Sequence, residues 1–337
     1  MKRVLITVVK FLISIAILSW LFSKAWQENQ FQSLVQADKN WWGLTLALIA
    51  CLAAHLISFF RWQLFVQAID LPFKFLDAVR IGFIGTFFNL LSLGVIGGDA
   101  LRAFYVTRQV KHRVAEAVAS VVLDRFIGLL TMFSVAAIAF LCWEPGEVEM
   151  VSENYLAIRW IGAVVLTGSA AGFLFLLSMI FMPKITRTRL FTWCVALPLV
   201  GSALLQVTKV IRVYRSKPRL ILFGFILSLG VNLCFVIAIY LIADSITNSH
   251  PTFMDHFLIE PISMVANAVP LPGGIGGMEL VLDYLYRSFT FGDAEGFGFI
   301  VALGFRFMLL IVSAMGAIVW FFNRNRVKED LGDRWNG

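Results

Sequence analysis

Charged side chains inside long apolar segments are the residues of this sequence best suited to chemistry. Asp124 and Arg125 lie between VASVVL and FIGLLTMF, and Arg306 lies within FIVALGFRFMLLIV. A charge at the centre of a bilayer costs about 2.5–3.5 kcal/mol on insertion scales, so such residues usually face the protein interior. A guanidinium there suits an anion such as a phosphate group. The structural alternative is neutralisation of Asp124 by Arg125, or pairing of these residues with Asp99 or Glu260.

Two glycine-rich motifs precede these arginines at similar distances. GVIGGDALRAFY has a Gly-Gly pair directly before Asp99, and GGIGGMELVLDY has one shortly before Glu279. Arg125 follows the first Gly-Gly pair by 27 residues, and Arg306 follows the second by 29. Arg102 is three residues after Asp99, so the two are expected on one helix face, where they are able to pair. Asp99 is also a suitable helix cap. The repeated order of glycines, carboxylate and arginine predicts two related halves.

The stretch VPLPGGIGGME places helix-breaking residues inside an apolar segment. Pro272 removes a backbone donor, and Gly273 and Gly274 cost conformational entropy in a helix. Irregular backbone at membrane depth is tolerated only where protein buries it or where it lines a watery cavity. We therefore expect the tip of a hairpin that faces a cavity, with the amides at the start of the next helix available to an anion. A structural bend in a packed helix bundle is the alternative.

Composition places these motifs in a membrane. The chain has 337 residues, of which 59% are hydrophobic and 15% charged, and its mean hydropathy is +0.83. Soluble domains carry roughly 25% charged residues. Six segments reach the length of about 20 apolar residues that crosses the hydrocarbon. These predicted spans are about 4–23, 42–60, 114–141, 157–182, 219–243 and 297–322.

Basic residues predict the sidedness of these spans, because cytoplasmic loops are rich in Lys and Arg. The linker 183–219 carries eight basic and no acidic residues, whereas the connection 143–156 carries four glutamates and no Lys or Arg. Starting from a cytoplasmic Met-Lys-Arg, the chain returns to the cytoplasm at Arg61 and ends there in NRNRVK. Both termini are therefore expected to be cytoplasmic. The segment 190–211 is expected to lie on the inner surface.

The fold class is thus an all-α polytopic membrane protein in a single integral domain, with two re-entrant hairpins in an inverted-topology repeat. The first half is predicted at 42–141, with a hairpin at about 77–109, and the second at 219–322, with a hairpin at about 255–290. Inverted repeats are typical of secondary transporters, whose sites lie at broken helices near the midplane. The net charge of +7 is attributed to the membrane surface, so no nucleic-acid partner is expected.

The sequence carries no familiar signature of catalysis, metal binding or cofactor binding. The sequence contains no GxxxxGK[ST], HExxH or GxSxG, and its cysteines (Cys51, Cys142, Cys194 and Cys234) are widely spaced. The acidic pair Glu147 and Glu149 is read as part of a solvated loop. No catalytic residue, metal site or cofactor is predicted.

The motifs GGDALRAFYVTR, VASVVLDRFIGLL, LPGGIGGME and GFRF occur in an order that resembles the lysylphosphatidylglycerol synthase transmembrane-region family. The resemblance covers roughly residues 5–322 and implies a flippase-like module of a bacterial or archaeal inner membrane, without the soluble aminoacyl-transferase domain of the fused members. It implies a charged phospholipid, a polyprenyl phosphate or a similar amphiphile as the substrate. The alternatives are a glycosyltransferase that uses a lipid-phosphate donor and a scaffold that transports nothing. The substrate-binding positions expected are Asp99, Arg102, Asp124, Arg125, Pro272, Gly273, Gly274, Gly277, Glu279 and Arg306.

Overall fold

The computed structural model describes a chain whose ordered elements are all helices. The described residues are 2–27, 39–91, 96–109, 114–143, 153–185, 214–247, 250–267, 276–289 and 297–332. Within them the helices are α1 (Lys2–Gln27), α2 (Trp41–Gln67), α3 (Phe75–Leu91), α4 (Ile96–Gln109), α5 (Val114–Cys142), α6 (Glu153–Ile185), α7 (Pro218–Ile246), α8 (His256–Ala266), α9 (Gly277–Phe289) and α10 (Gly298–Gly332).

Five of these helices are long and apolar enough to cross a membrane. The qualifying stretches are Trp41–Gln67, Glu116–Cys142, Leu156–Leu177, Pro218–Ile246 and Gly298–Phe322, in α2, α5, α6, α7 and α10. Each overlaps a predicted span, and α1 covers the remaining one. The prediction of a polytopic all-α membrane protein is confirmed. The predicted surface helix at 190–211 and the acidic connection around 144–152 lie outside the described residues.

Two pairs of shorter helices occupy the segments that were predicted as hairpins. α3 packs on α4, and α8 packs on α9. α4, α8 and α9 contain 14, 11 and 13 residues, fewer than the roughly 20 that span the hydrocarbon. α8 also contains Pro261, which removes one of its backbone hydrogen bonds. Re-entry of each pair to the side from which it came stays a prediction.

The centre of the bundle is an antiparallel pair formed by α2 and α7. At one end, the amide of Asn40 donates to the carbonyl of Ser245 at 3.3 Å. At the other end, the hydroxyl of Tyr214 donates to the carbonyl of Phe65 at 2.8 Å. The start of each helix therefore lies beside the end of the other. Two spans that enter the membrane from opposite sides require this arrangement.

The contacts among helices α2–α5 correspond one to one to the contacts among helices α7–α10. α3 packs on α10 just as α8 packs on α5, and α4 packs on α5 just as α9 packs on α10. α2 contacts α3 and α5, and correspondingly α7 contacts α8 and α10. The crossing of α3 and α10 is close, because a Cβ on Gly316 would lie 2.0 Å from the carbonyl oxygen of Phe83. Each short pair is thus held by the final helix of the other half.

The end of the second span was predicted wrongly. Arg61 was taken as its cytoplasmic boundary, but α2 continues to Gln67 and Arg61 is only 5% exposed. The reason is electrostatic: Arg61 lies 2.7 Å from a carboxylate oxygen of Asp124 inside the bundle. A neutralised arginine no longer needs the membrane surface.

Candidate functional site

The carboxylate after each Gly-Gly motif pairs with the arginine of the helix that follows. In the first half, Arg125 Nη2 donates to Asp99 Oδ1 at 2.5 Å. In the second half, Nε and Nη2 of Arg306 each lie 2.8 Å from Glu279 Oε1. The partners are 26 residues apart in the first pair and 27 in the second. The matched positions in the sequence therefore correspond to matched ion pairs.

Both arginines lie at similar distances from the start of their spans. Arg125 is 11 residues after Val114, where α5 begins, and Arg306 is eight residues after Gly298, where α10 begins. At 1.5 Å per residue, these positions are about 16 Å and about 12 Å along the helix axis. If both helices cross as predicted, both ion pairs lie within the hydrocarbon layer.

The two pairs differ in burial. The side chains of Arg125 and Asp99 are 44% and 20% exposed, whereas those of Arg306 and Glu279 are 12% and 1% exposed. Glu279 also accepts a hydrogen bond from the Gly276 amide at 2.8 Å, which fixes the start of α9. A charge at membrane depth that is not enclosed by protein needs water or a polar headgroup beside it. The first pair is therefore the more accessible of the two.

A third ion pair lies deeper in the first half. Arg61 Nε donates to Asp124 Oδ1 at 2.7 Å, and Arg61 Nη1 donates to the hydroxyl of Ser228 at 2.5 Å. Gly128 leaves room for this guanidinium, since a Cβ there would lie 3.5 Å from Arg61 Nη2. Asp124 is 2% exposed. Asp124 thus pairs with Arg61 and not with its neighbour Arg125, so the proposed mutual neutralisation does not occur.

Arg102 is a buried arginine without a carboxylate partner in the described part of the chain. It is 5% exposed, and its Nε has no hydrogen-bond acceptor among the described residues. Its guanidinium lies 5.4 Å from the ring centres of both Phe59 and Trp62, a cation–π arrangement. The local pair of Asp99 and Arg102 that their spacing allowed is not formed, and Asp99 is bound to Arg125 instead.

The cluster of buried and partly buried charges in the first half consequently carries one excess positive charge. Three arginines (Arg61, Arg102 and Arg125) face two aspartates (Asp99 and Asp124), which leaves one cation uncompensated. Arg102 lies within electrostatic range of the other four groups. Burying a charge without a partner costs several kcal/mol, and ring faces offset only part of that cost. An anion bound beside Arg102 would balance this excess charge.

Glycines bring α3 and α4 together around Arg102. A Cβ on Gly98 would lie 2.0 Å from the carbonyl oxygen of Gly85, and a Cβ on Gly85 would lie 3.3 Å from Arg102 Nε. The side chain of Asn89 accepts a hydrogen bond from the Gly98 amide at 2.7 Å. The first Gly-Gly motif therefore permits a close helix crossing, and this crossing positions Arg102.

The chain matches the family model described as the lysylphosphatidylglycerol synthase TM region over residues 7–316. This chain belongs to the lysylphosphatidylglycerol synthase TM-region family. The match confirms the resemblance carried by the four motifs, and it identifies a multi-pass membrane protein of a lipid-related family. No curated protein matches the chain.

Not every position expected from the family motifs is placed. Gly277 begins α9 and is partly exposed, two residues before Glu279. Pro272, Gly273 and Gly274 lie outside the described residues, so the expected hairpin tip stays a prediction. Among the described residues, no group of three His, Cys, Asp or Glu side chains is arranged to hold a metal ion.

Two buried charged residues of this family member were missed as site residues. Arg61 was recognisable from the apolar run WQLFV that continues after it. Asp283, which is 3% exposed, accepts hydrogen bonds from the Phe299 amide at 3.1 Å and from Arg287 Nε at 2.9 Å. The spacing of four residues between Asp283 and Arg287 indicated that pair, but no local signal indicated the contact with α10.

Proposed function

We propose that this protein binds the charged headgroup of a lipid and moves the lipid between membrane leaflets. The observation that carries the proposal is the uncompensated Arg102 beside the partly open Asp99–Arg125 pair. A lipid phosphate would neutralise the excess charge at membrane depth. Guanidinium groups also bind phosphate oxygens through two parallel hydrogen bonds, which lysine does not reproduce.

Partner exchange supplies a mechanism for binding and release. Arg125 is 44% exposed and is held by one carboxylate oxygen of Asp99. A phosphate that approaches this side is able to replace Asp99 as the partner of Arg125 while it neutralises Arg102. When the phosphate leaves, Asp99 binds Arg125 again, so Arg125 is also paired between transport cycles.

The helix contacts support alternating access. Each short helix pair is packed on the final helix of the other half, and the pattern is kept when the halves are exchanged. Inverted repeats open to opposite sides by small rigid-body movements of one half against the other. In the topology proposed here, both termini are cytoplasmic and the protein resides in the inner membrane.

Translocation of a lipid by the purified protein tests this function. The protein is reconstituted in liposomes that carry fluorescent phosphatidylglycerol, and the fraction accessible to an external quencher is followed over time. Arg102→Gln should slow translocation roughly ten- to a hundredfold, since a charge-assisted hydrogen bond contributes about 1.5–3 kcal/mol. Arg102→Lys should be intermediate. Arg215→Gln removes the same charge from an exposed position and serves as the control.

Three results would contradict this proposal. Equal rates in Arg102→Gln and the wild type would show that Arg102 does not contact the substrate. Release of a sugar from a lipid-phosphate donor, with or without added divalent metal, would favour a glycosyltransferase. No lipid movement above that of empty liposomes would favour a scaffold.

A further inference from the structure

A second site is formed by a buried carboxyl group in the other half of the molecule. Glu260 lies in α8, immediately before Pro261, and is 0% exposed. Both of its carboxylate oxygens lack a hydrogen-bond partner among the described residues. Glu260 takes part in none of the ion pairs of the first site.

Other unpaired polar groups continue along the same face of α8. Glu260, Ser263 and Asn267 are separated by three and four residues, so they lie on one side of the helix. Ser263 Oγ and Asn267 Oδ1 also lack hydrogen-bond partners within the described ranges. One turn earlier, His256 is fully paired, with Thr252 at 2.7 Å and Tyr286 at 2.8 Å. A polar stripe thus leads inward from the start of α8.

No described residue forms a hydrogen bond or an ion pair with either oxygen of Glu260. α2 places Cys51 within electrostatic range of it, and Cys234 of α7 lies near Cys51. α9 presents Tyr286, which is hydrogen-bonded to His256. α5 presents Ala and Phe side chains around Leu258 and Ile262. None of these groups is an obligate cation, so an ionised Glu260 would be a buried charge without compensation.

A metal ion would need more ligands than the acidic side chain supplies. A sodium or calcium ion is held by several oxygen ligands, and among the described residues no group of three His, Cys, Asp or Glu side chains is arranged to hold a metal ion. A proton requires no cage, and it makes the carboxyl group neutral.

We propose that Glu260 carries a proton, and that loss of this proton to water when the α8–α9 pair opens couples lipid movement to a proton gradient. In the conformation described here, Glu260 is a neutral carboxylic acid. On opening, its O–H bond breaks, the electron pair stays on the carboxylate oxygen and the proton passes to water along the stripe of Ser263 and Asn267. Closing requires that a proton be taken up again. The coupling rests on the lipid translocation proposed above, whereas the protonation does not.

Infrared difference spectroscopy tests the protonation without any transport assay. The purified protein at neutral pH should show the carbonyl stretch of a protonated carboxylic acid, and Glu260→Gln should abolish that band. Asp244→Asn, which removes an exposed carboxyl from the neighbouring end of α7, should leave the band unchanged. Absence of the band from the wild-type protein would overturn the assignment.

Translocation under an imposed pH gradient tests the coupling. The wild-type rate should change with the direction of the gradient, Glu260→Gln should lose this response completely, and Asp244→Asn should retain it. Gln has the shape of the neutral acid, so the variant should purify with an unchanged gel-filtration profile. Wild-type protein that moves lipid at one rate under every gradient would overturn the coupling. Wild-type protein that moves no lipid would instead refute the translocase itself, and the infrared band would still decide whether Glu260 is protonated.

Discussion

Neutralising Arg306 and neutralising Arg125 should have different consequences, although the two arginines occupy matching positions. Arg306→Gln leaves Glu279, whose side chain is 1% exposed, without its cationic partner. Removal of one member of a buried ion pair costs about 3–5 kcal/mol, because the remaining charge is not solvated. In Arg125→Gln the remaining Asp99 is 20% exposed and the pair was open on the arginine side. Asp99 also lies within electrostatic range of Arg102, which remains to balance its charge. Arg125→Gln should therefore fold close to normally and lose transport instead.

Thermal unfolding in detergent, followed by intrinsic tryptophan fluorescence, measures this difference. Arg306→Gln should unfold well below the wild type, and Arg125→Gln close to it. The double variant Glu279→Gln/Arg306→Gln should recover most of the loss, since it removes both charges. Equal unfolding temperatures for Arg306→Gln and Arg125→Gln, or a double variant as unstable as Arg306→Gln alone, would refute the assignment of one pair to structure and the other to ligand exchange.

Two further predictions concern the helix crossing and the topology. Gly98→Ala should lower both the transport rate and the unfolding temperature, because its Cβ would lie 2.0 Å from the Gly85 carbonyl oxygen. The control Gly230→Ala meets only Ile57, at 4.0 Å, and should be neutral or stabilising. Equal stability of the two variants would contradict the close crossing. The topology is tested with single cysteines placed at Met254 or at Arg215 in a background that lacks the native cysteines. The two cysteines should react with an impermeant maleimide from opposite sides of the membrane. Labelling of both from one side would contradict the topology derived from the Lys and Arg distribution.

The sequence predicted the spans and the repeated motifs because both are local signals. A run of about 20 apolar residues needs no information from the rest of the fold, and neither does a Gly-Gly pair before a carboxylate. The partner of each charge was harder to predict. Asp124 lies next to Arg125 in the chain but pairs with Arg61, 63 residues away. Neighbouring residues on a helix point about 100° apart, so the choice of partner depends on which helix each side faces.

The two charged residues without a partner in the described part of the chain, Arg102 and Glu260, also could not be identified from the sequence alone. Arg102 and Asp99 have the spacing of a helical ion pair, and that spacing hides the fact that Asp99 is taken by Arg125. Glu260 was considered only as a partner for the Asp124–Arg125 pair. Its isolation became visible only in the structure, where neither of its carboxylate oxygens has a hydrogen-bond partner among the described residues.

One face of α2 connects the two proposed sites. Cys51 lies within electrostatic range of Glu260, and Phe59 lies beneath the guanidinium of Arg102. His55, one helical turn from each, lies within electrostatic range of Arg102 and packs edge-on against Phe59. Cys51 and Phe59 are eight residues apart, or about 12 Å along the helix. The unpaired acid of one half and the unpaired arginine of the other therefore both lie near α2. Under the two proposals, a movement of α2 would change the surroundings of both groups and would thereby link proton release to lipid binding.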